Sequence, residues 1–192
     1  MRRASPSLLN PLGISPEHQT ILHTIDAPAT VLVLSDTHIG TNEQVLGECI
    51  TKYFSKVNAI VHAGDYTSPC ILDELMATGK FTGVHGNMDG DAIRSRLPEM
   101  DELRVGDVRI GIIHGWGAPR RIVQRVHPAC KEKGFHIVIV GHSHQRLDEE
   151  YMGIRYYNPG SPTDRVLARE NTMLLLTIHS KDRVHAEFIK TR

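Results

Sequence analysis

Seven side chains that could ligate a divalent cation fall in five short segments: Asp36-Thr37-His38, Gly64-Asp65, Gly86-Asn87-Met88-Asp89, His114-Gly115 and Gly141-His142-Ser143-His144. Each segment follows an apolar run rich in β-branched residues and brings Asp, Asn or His to a turn. Together they offer oxygen and nitrogen donors in the number that two neighbouring divalent ions require. Two ions roughly 3.5–4 Å apart neutralise phosphate oxygens, generate hydroxide near neutral pH and hold it in line with a leaving group. Hard oxygens with imidazoles suit manganese, iron, zinc, cobalt or nickel, whereas thiolates would point to zinc or copper(I).

The spacings suggest how the work is divided. Asp36 and His38 stand two apart on one turn and can face one ion. Asp65 follows a glycine, whose missing side chain allows close backbone approach, and a carboxylate there can bridge two ions. Asn87 gives a neutral carbonyl oxygen, which limits the negative charge of the site. His142 and His144, again two apart, can each serve a different ion.

The elements that must position these groups are legible as alternating apolar runs. Val31–Leu34, Ala59–Val61 and Phe81–Val84 read as buried strands, and Ile110–Ile113 and Ile137–Val140 likewise. Helical spacing runs over 43–57, over a segment opened by Ser68-Pro69 and stopped by Gly79, over 91–97 and over 119–133. Leu103–Val105 and Val108–Ile110 flank Gly106-Asp107, a tight hairpin. After Gln145 only strands are expected, over 146–150, 154–157, 173–178 and 184–189. A βαβαβα half followed by a β-richer half predicts an α/β protein: a four-layer α/β/β/α sandwich of two mixed β-sheets flanked by helices. Every candidate ligand then sits beyond the carboxyl end of a strand, where ligands gather in α/β sheets.

Residues 1–29, broken by Pro6, Pro11, Pro16, Pro28 and Gly13, read as an irregular N-terminal arm with one short helix capped by Ser15. Residues 30–192 form the expected domain, a size suited to a single core. Lys plus Arg equals Asp plus Glu at 22 each, so no global field favours nucleic acid or membrane, and an extended nucleic-acid footprint is not expected. Cys49, Cys70 and Cys130 are odd in number and lack metal-knuckle spacing, which predicts free thiols in a reducing compartment. No run approaches the roughly 18 apolar residues of a membrane span. The start, Met1-Arg2-Arg3-Ala4-Ser5-Pro6, lacks the apolar stretch of a signal peptide. A cytoplasmic protein is expected, with a homodimer or homotetramer as the assembly.

The ordered series DxH, GD, GN, H and GHxH resembles the calcineurin-like metallophosphoesterase superfamily over residues 31 to about 160. With the turn Asn158-Pro159-Gly160-Ser161, the chain is similar to the small YfcE-type phosphodiesterases. The resemblance implies two divalent ions, manganese first, with nickel, iron, zinc, cobalt or magnesium as alternatives. It assigns Asp36, His38, Asp65 and His144 to the first ion, with Asp65 bridging. Asn87, His114 and His142 would complete the second. It further implies hydrolysis of a small phosphodiester by a metal-bound hydroxide, with Asp65 positioning it and Asn87 and His114 stabilising the phosphate oxygens. Many family members carry His after the GN pair. Met88 stands there instead, and a thioether cannot protonate a leaving alkoxide, so diesters with activated leaving groups are expected over monoesters. Asp89 could relay a proton or orient a ligand, or simply cap the helix at Asp91. The alternatives are a phosphomonoesterase, or a non-catalytic scaffold resembling the retromer subunit of this fold.

Other polar residues carry weaker signals. His62 and His85 read as strand histidines in preference to partners of the ligands. Arg120, Arg121, Arg125 and Lys131 read as a solvated basic helix face. The Asn158–Pro162 turn could line a phosphate pocket with amides or merely reverse the chain. Trp116 is expected in the core.

Overall fold

The structure is a computed structural model and describes residues 23–38, 46–164 and 166–192. Its elements run β1 (Thr24–Ile25), β2 (Ala29–Leu34), α1 (Glu48–Thr51), β3 (Ala59–His62), α2 (Pro69–Met76), β4 (Phe81–Gly83), α3 (Asp91–Arg94), β5 (Met100–Val105), β6 (Val108–Ile113), α4 (Ile122–Cys130), β7 (Ile137–Val140), β8 (Arg146–Tyr151), β9 (Ile154–Pro159), β10 (Thr172–Ser180) and β11 (Arg183–Lys190). The strands form a five-stranded sheet ordered β11-β10-β2-β3-β4 and a six-stranded sheet ordered β1-β5-β6-β7-β9-β8.

Alternation along the strands sets the layers. Val31 and Val33 of β2 point between the sheets, where they meet Ile110 and Ile112 of β6 and Ile137 and Ile139 of β7. Leu32 and Leu34 point the other way, onto Ile50 of α1, Ile71, Leu72 and Leu75 of α2 and Ile93 of α3. Val138 and Val140 of β7 likewise face Ile122, Val123, Val126 and Cys130 of α4. Both faces of the central strands are buried, as their near-continuous apolar sequence requires. The result is the expected four layers, with three helices on one sheet and one on the other among the described residues.

Parallel pairing brings the strand ends into line. Leu34 lies opposite His62 and His62 opposite Gly83. In the other sheet Ile113 lies opposite Val140 and Ile139 opposite Tyr157. The loops that follow β2, β3, β4, β6, β7 and β9 therefore share one end of the sandwich.

Several element boundaries differ from the sequence reading. The arm expected to be irregular through residue 29 contributes β1, which pairs in parallel with β5 at Thr24↔Arg104, and residue 29 already opens β2. Its expected Ser15 helix lies outside the described residues. Of the helix expected over 43–57, residues 43–45 lie outside the described residues; among the described ones the helix spans Glu48–Thr51, followed by tight turns such as Tyr53 N–H to Ile50 O. Further on, Lys80 Nζ donates to Phe54 O and Val57 O. α4 starts at Ile122, three residues later than expected, because Arg121 adopts a left-handed backbone with φ 57°. α3 ends at Arg94. The hairpin at Gly106-Asp107 forms as expected, and the three cysteines are free.

Candidate metal centre

The structure brings all seven candidate ligands to the shared strand end, in two groups that meet at Asp36 and Asp65. The first comprises Asp36, His38 and His144, and the second includes Asp36, Asp65 and His114; within each, one donor atom per residue lies within 4.8 Å of the others. Asp65 Oδ2 stands 3.6 Å from His38 Nε2 and 3.3 Å from His114 Nε2, between the groups. Asn87 Oδ1 lies 3.0 Å from His114 Nε2 and 2.9 Å from His142 Nδ1, which ties the remaining two residues to the second group.

The backbone does unusual work to achieve this. Asp36, His38, Asp65, His142 and His144 all adopt positive φ, between 40° and 68°. Non-glycine residues seldom do so, although Asn, Asp and His are the most tolerant. The turns are held in that form by hydrogen bonds: Asp36 N–H donates to Gly64 O at 2.9 Å, and His142 N–H to Asp36 Oδ1 at 3.1 Å. Glycines permit the close packing. A Cβ on Gly64 would meet Gly86 N at 2.7 Å, and one on Gly86 would meet Asp65 Oδ1 at 2.1 Å.

The orientation of the imidazoles tests whether the group suits a cation. His114 Nδ1 lies 2.7 Å from Ala63 O and His142 Nε2 lies 2.6 Å from Gly117 O. A carbonyl can only accept, so the proton sits on these outer nitrogens. The inner nitrogens, His114 Nε2 and His142 Nδ1, then present lone pairs to oxygen lone pairs of Asp65 and Asn87. Such an arrangement needs a proton or a metal ion between the partners. His144 is built the same way, with Nδ1 2.5 Å from Asp164 Oδ2 and Nε2 facing Asp36 Oδ1 at 3.5 Å. A carboxylate or carbonyl behind a histidine fixes its tautomer and raises its basicity toward a metal. The donor set is all oxygen and nitrogen and fits hard to intermediate divalent ions.

The charges respond to this crowding. Burial pushes the Asp36 carboxyl up to about 6, against the pull of His114 and His144. Burial also works to raise Asp65, but His114 and the Met88 N–H outweigh it and hold its pKa below the ordinary value. Burial disfavours charge on His114, yet Asp65 and Asp36 prevail and its pKa is raised. The metal-free centre thus retains protons where an ion would supply positive charge.

Four expectations from sequence change here. Asp89 caps no helix: Gly90 takes that position without a side-chain bond. Its Oδ2 accepts N–H bonds from Asp65 at 3.0 Å and Gly86 at 2.8 Å, and its Oδ1 accepts from Thr67 at 2.9 Å. Both oxygens are thus engaged by main chain and join the Asp65 loop to the Asn87 loop. Trp116 is 46% exposed and not in the core. Arg125 is not merely a solvated charge: it donates to Trp116 O, Ala118 O and Arg120 O, stapling the loop after His114. The Asn158–Pro162 turn is a brace, with Asn158 Nδ2 donating to Gly141 O at 2.7 Å and Ser161 Oγ to Asp36 O at 2.6 Å. His62 is fully buried between Thr37 Oγ1 and Gly64 N–H, a satisfied strand histidine that burial lowers to about 3.

Asp164 is the functional residue that sequence reasoning missed. Besides His144, its carboxylate accepts from Val166, Leu167 and Ala168 N–H. Burial opposes its charge, but these bonds and His144 hold it ionised, at about 2. A signal existed in Ser161-Pro162-Thr163-Asp164. The Ser-x-x-Asp spacing favours reciprocal local bonds, and Ser161 Oγ accepts from Asp164 N–H at 2.9 Å.

An α/β/β/α sandwich that gathers His, Asp and Asn donors at one end defines a metallophosphoesterase fold and centre. Residues 30–181 match the calcineurin-like phosphoesterase superfamily domain, and the chain belongs to that superfamily. A protein of Methanothermobacter thermautotrophicus named "Probable metallophosphoesterase" is 37% identical over 163 residues, 83% of this chain and 91% of that protein. The "Phosphodiesterase MJ0936" of Methanocaldococcus jannaschii is 25% identical over 116 residues, 54% of this chain and 67% of that protein. Vps29 of Chaetomium thermophilum shares the fold with a TM-score of 0.68 at 20% identity, over 83% of this chain and 96% of that one. Among the described residues no helix is long and apolar enough to cross a membrane.

Proposed function

We propose that the protein is a metal-dependent phosphodiesterase that uses two divalent ions, manganese first, on small diester substrates. One observation carries the reading: Asp65 Oδ2 stands between His38 Nε2 and His114 Nε2, with the outer nitrogens of His114, His142 and His144 each engaged by a carbonyl or carboxylate. Asp36, His38, Asp65 and His144 would hold one ion, and Asp65, Asn87, His114 and His142 the other. When bound, such ions polarise phosphate oxygens and bring the pKa of water toward neutrality.

The chain's own residues set the rest. Asp65 is kept ionised and locked by the Met88 N–H at 2.7 Å, so it orients its neighbours without taking up a proton. Asn87 is exposed and His38 and His142 are half-buried, and these are the members of the set that can meet an incoming phosphate. Met88, 59% exposed, offers no acid to the leaving group. The departing alkoxide must therefore take its proton from solvent, which favours activated leaving groups and diesters. The relative named a phosphodiesterase agrees with that preference. A scaffold role has the shared fold of Vps29 in its favour, but no feature of the centre selects it.

The test is turnover of bis(p-nitrophenyl) phosphate and p-nitrophenyl phosphate after metal stripping and reloading with manganese, nickel or magnesium. Metal-dependent release, faster from the diester, is expected. No release from either compound with metal shown to be bound would sink the proposal. Met88→His should raise the monoester rate relative to the diester by several-fold, as general acids contribute about 10²–10⁴-fold where fully positioned.

A further inference from the structure

A cavity of about 240 Å³ opens beside the second group of ligands, lined by His85, Asn87, Arg94, Glu99, His114 and Trp116. Two of these are candidate ligands, and the rest have no part in holding a cation. Trp116 is the chain's single tryptophan and is left 46% exposed, outside every buried apolar cluster among the described residues. Its main chain is nonetheless fixed. His114 precedes it by two residues, Gly117 O engages His142 Nε2 at 2.6 Å, and Arg125 donates to Trp116 O at 3.1 Å. These bonds fix the Trp116 backbone beside the centre while its side chain lines the cavity and stays half exposed. Arg94 gives its donors to Asp89 O, Gly86 O and Asn87 O and pairs with no carboxylate among the described residues, so its charge stays at the cavity. Glu99 adds an exposed acceptor on the same rim.

We propose that this cavity takes a planar aromatic ester group of the diester, an aryl ring or a nucleobase, stacked on Trp116 with its phosphate at Asn87 and His114. The proposal rests on the phosphodiesterase reading and names the substrate class for it. Size agrees: ligand pockets usually span about 300–1,000 Å³, so this one suits a single ring system and not a polymer. Stacking on an aromatic side chain tolerates any base or aryl face, and a tryptophan with only two side-chain torsions loses little entropy on binding. Glu99 can accept from a ring N–H or exocyclic amine, which an unsubstituted aryl ring lacks.

Because Trp116 is the only tryptophan, its emission reports the site without labels. The full chain, loaded with manganese, is titrated with AMP, phenyl phosphate and glycerol phosphate. AMP and phenyl phosphate should change the emission and glycerol phosphate should not. Tighter binding of AMP than of phenyl phosphate assigns the cavity to nucleobases, and equal binding assigns it to aromatic rings in general. Trp116→Ala should raise KM for the bis-aryl diester by roughly 5- to 150-fold, the equivalent of about 1–3 kcal/mol of stacking, and Trp116→Phe should restore most of it. Equal emission changes with all three compounds, or an unaltered KM, would overturn the proposal. If hydrolysis is absent while AMP still alters the emission, the ring site stands and the phosphodiesterase reading fails. If hydrolysis is intact and the ring tests are negative, the ring site alone fails.

Discussion

The two ligand groups use the same residue types but are braced differently. Asp36 and His144 are almost fully buried, and His144 is backed by a carboxylate, Asp164, at 2.5 Å. The second group pairs buried Asp65 and His114 with exposed Asn87 and half-buried His142, and backs its histidines with the neutral carbonyls of Ala63 and Gly117. A carboxylate makes imidazole a stronger donor than a carbonyl does, and burial strengthens its attraction to a cation. On the two-ion reading proposed above, the first group, apart from half-buried His38, would hold its ion more tightly than the second, and two binding events of unequal affinity are expected.

The largest break should come from Asp65→Asn, which removes the charge between both groups while keeping the shape. Metal-dependent turnover is expected to fall by three orders of magnitude or more, about 4 kcal/mol in the barrier, and metal analysis should show fewer than two ions per chain. Full rate would refute the bridging position. His142→Ala should separate the groups instead. Calorimetric titration is expected to lose the weaker binding event and keep the tighter one, and loss of both would mean that the groups are not independent. Asp164→Asn should weaken the tighter event by about 10- to 100-fold, the usual effect of removing the partner behind a metal-bound histidine. An effect confined to the weaker event would reverse the comparison.

The comparison has a counterpart in the metal-free fold. Asp36 in the folded chain holds its proton up to about 6, above the ordinary 3.8, so the folded state binds more protons than the unfolded state between those values. Stability from this group is therefore full at low pH and is lost as pH rises toward and through 6, by roughly 2–3 kcal/mol. Thermal melts of stripped protein should show that decline above a background of other titrations, and Asp36→Asn should flatten it. Reloaded protein should not show it, because an ion replaces the proton.

Much of the centre was legible because the ligands are local in sequence. Each lies just past an apolar run, and the buried strands announce themselves by composition, as in Val31–Leu34 and Ile137–Val140. What was missed depends on contacts across the chain. Asp164 sits 20 positions from His144, and Asp89 meets Asp65 and Thr67 across more than 20. No periodicity encodes such bonds. Trp116 departs from the expectation because large aromatics are usually buried, whereas this one lies outside the apolar clusters and is half exposed. The helix after β2 is shorter than its apolar spacing suggests because tight turns, such as Phe54 N–H to Thr51 O, follow Thr51.

The left-handed turns carry a consequence for the history of such a site. At Asp36, His38, Asp65, His142 and His144 the backbone would relax if glycine replaced the ligand, since glycine adopts positive φ at no steric cost. Selection for a robust apo fold and selection for chemistry therefore pull in opposite directions at those positions. A library sorted only for heat resistance of the stripped protein should accumulate glycine at the ligand turns and shed the donors one by one.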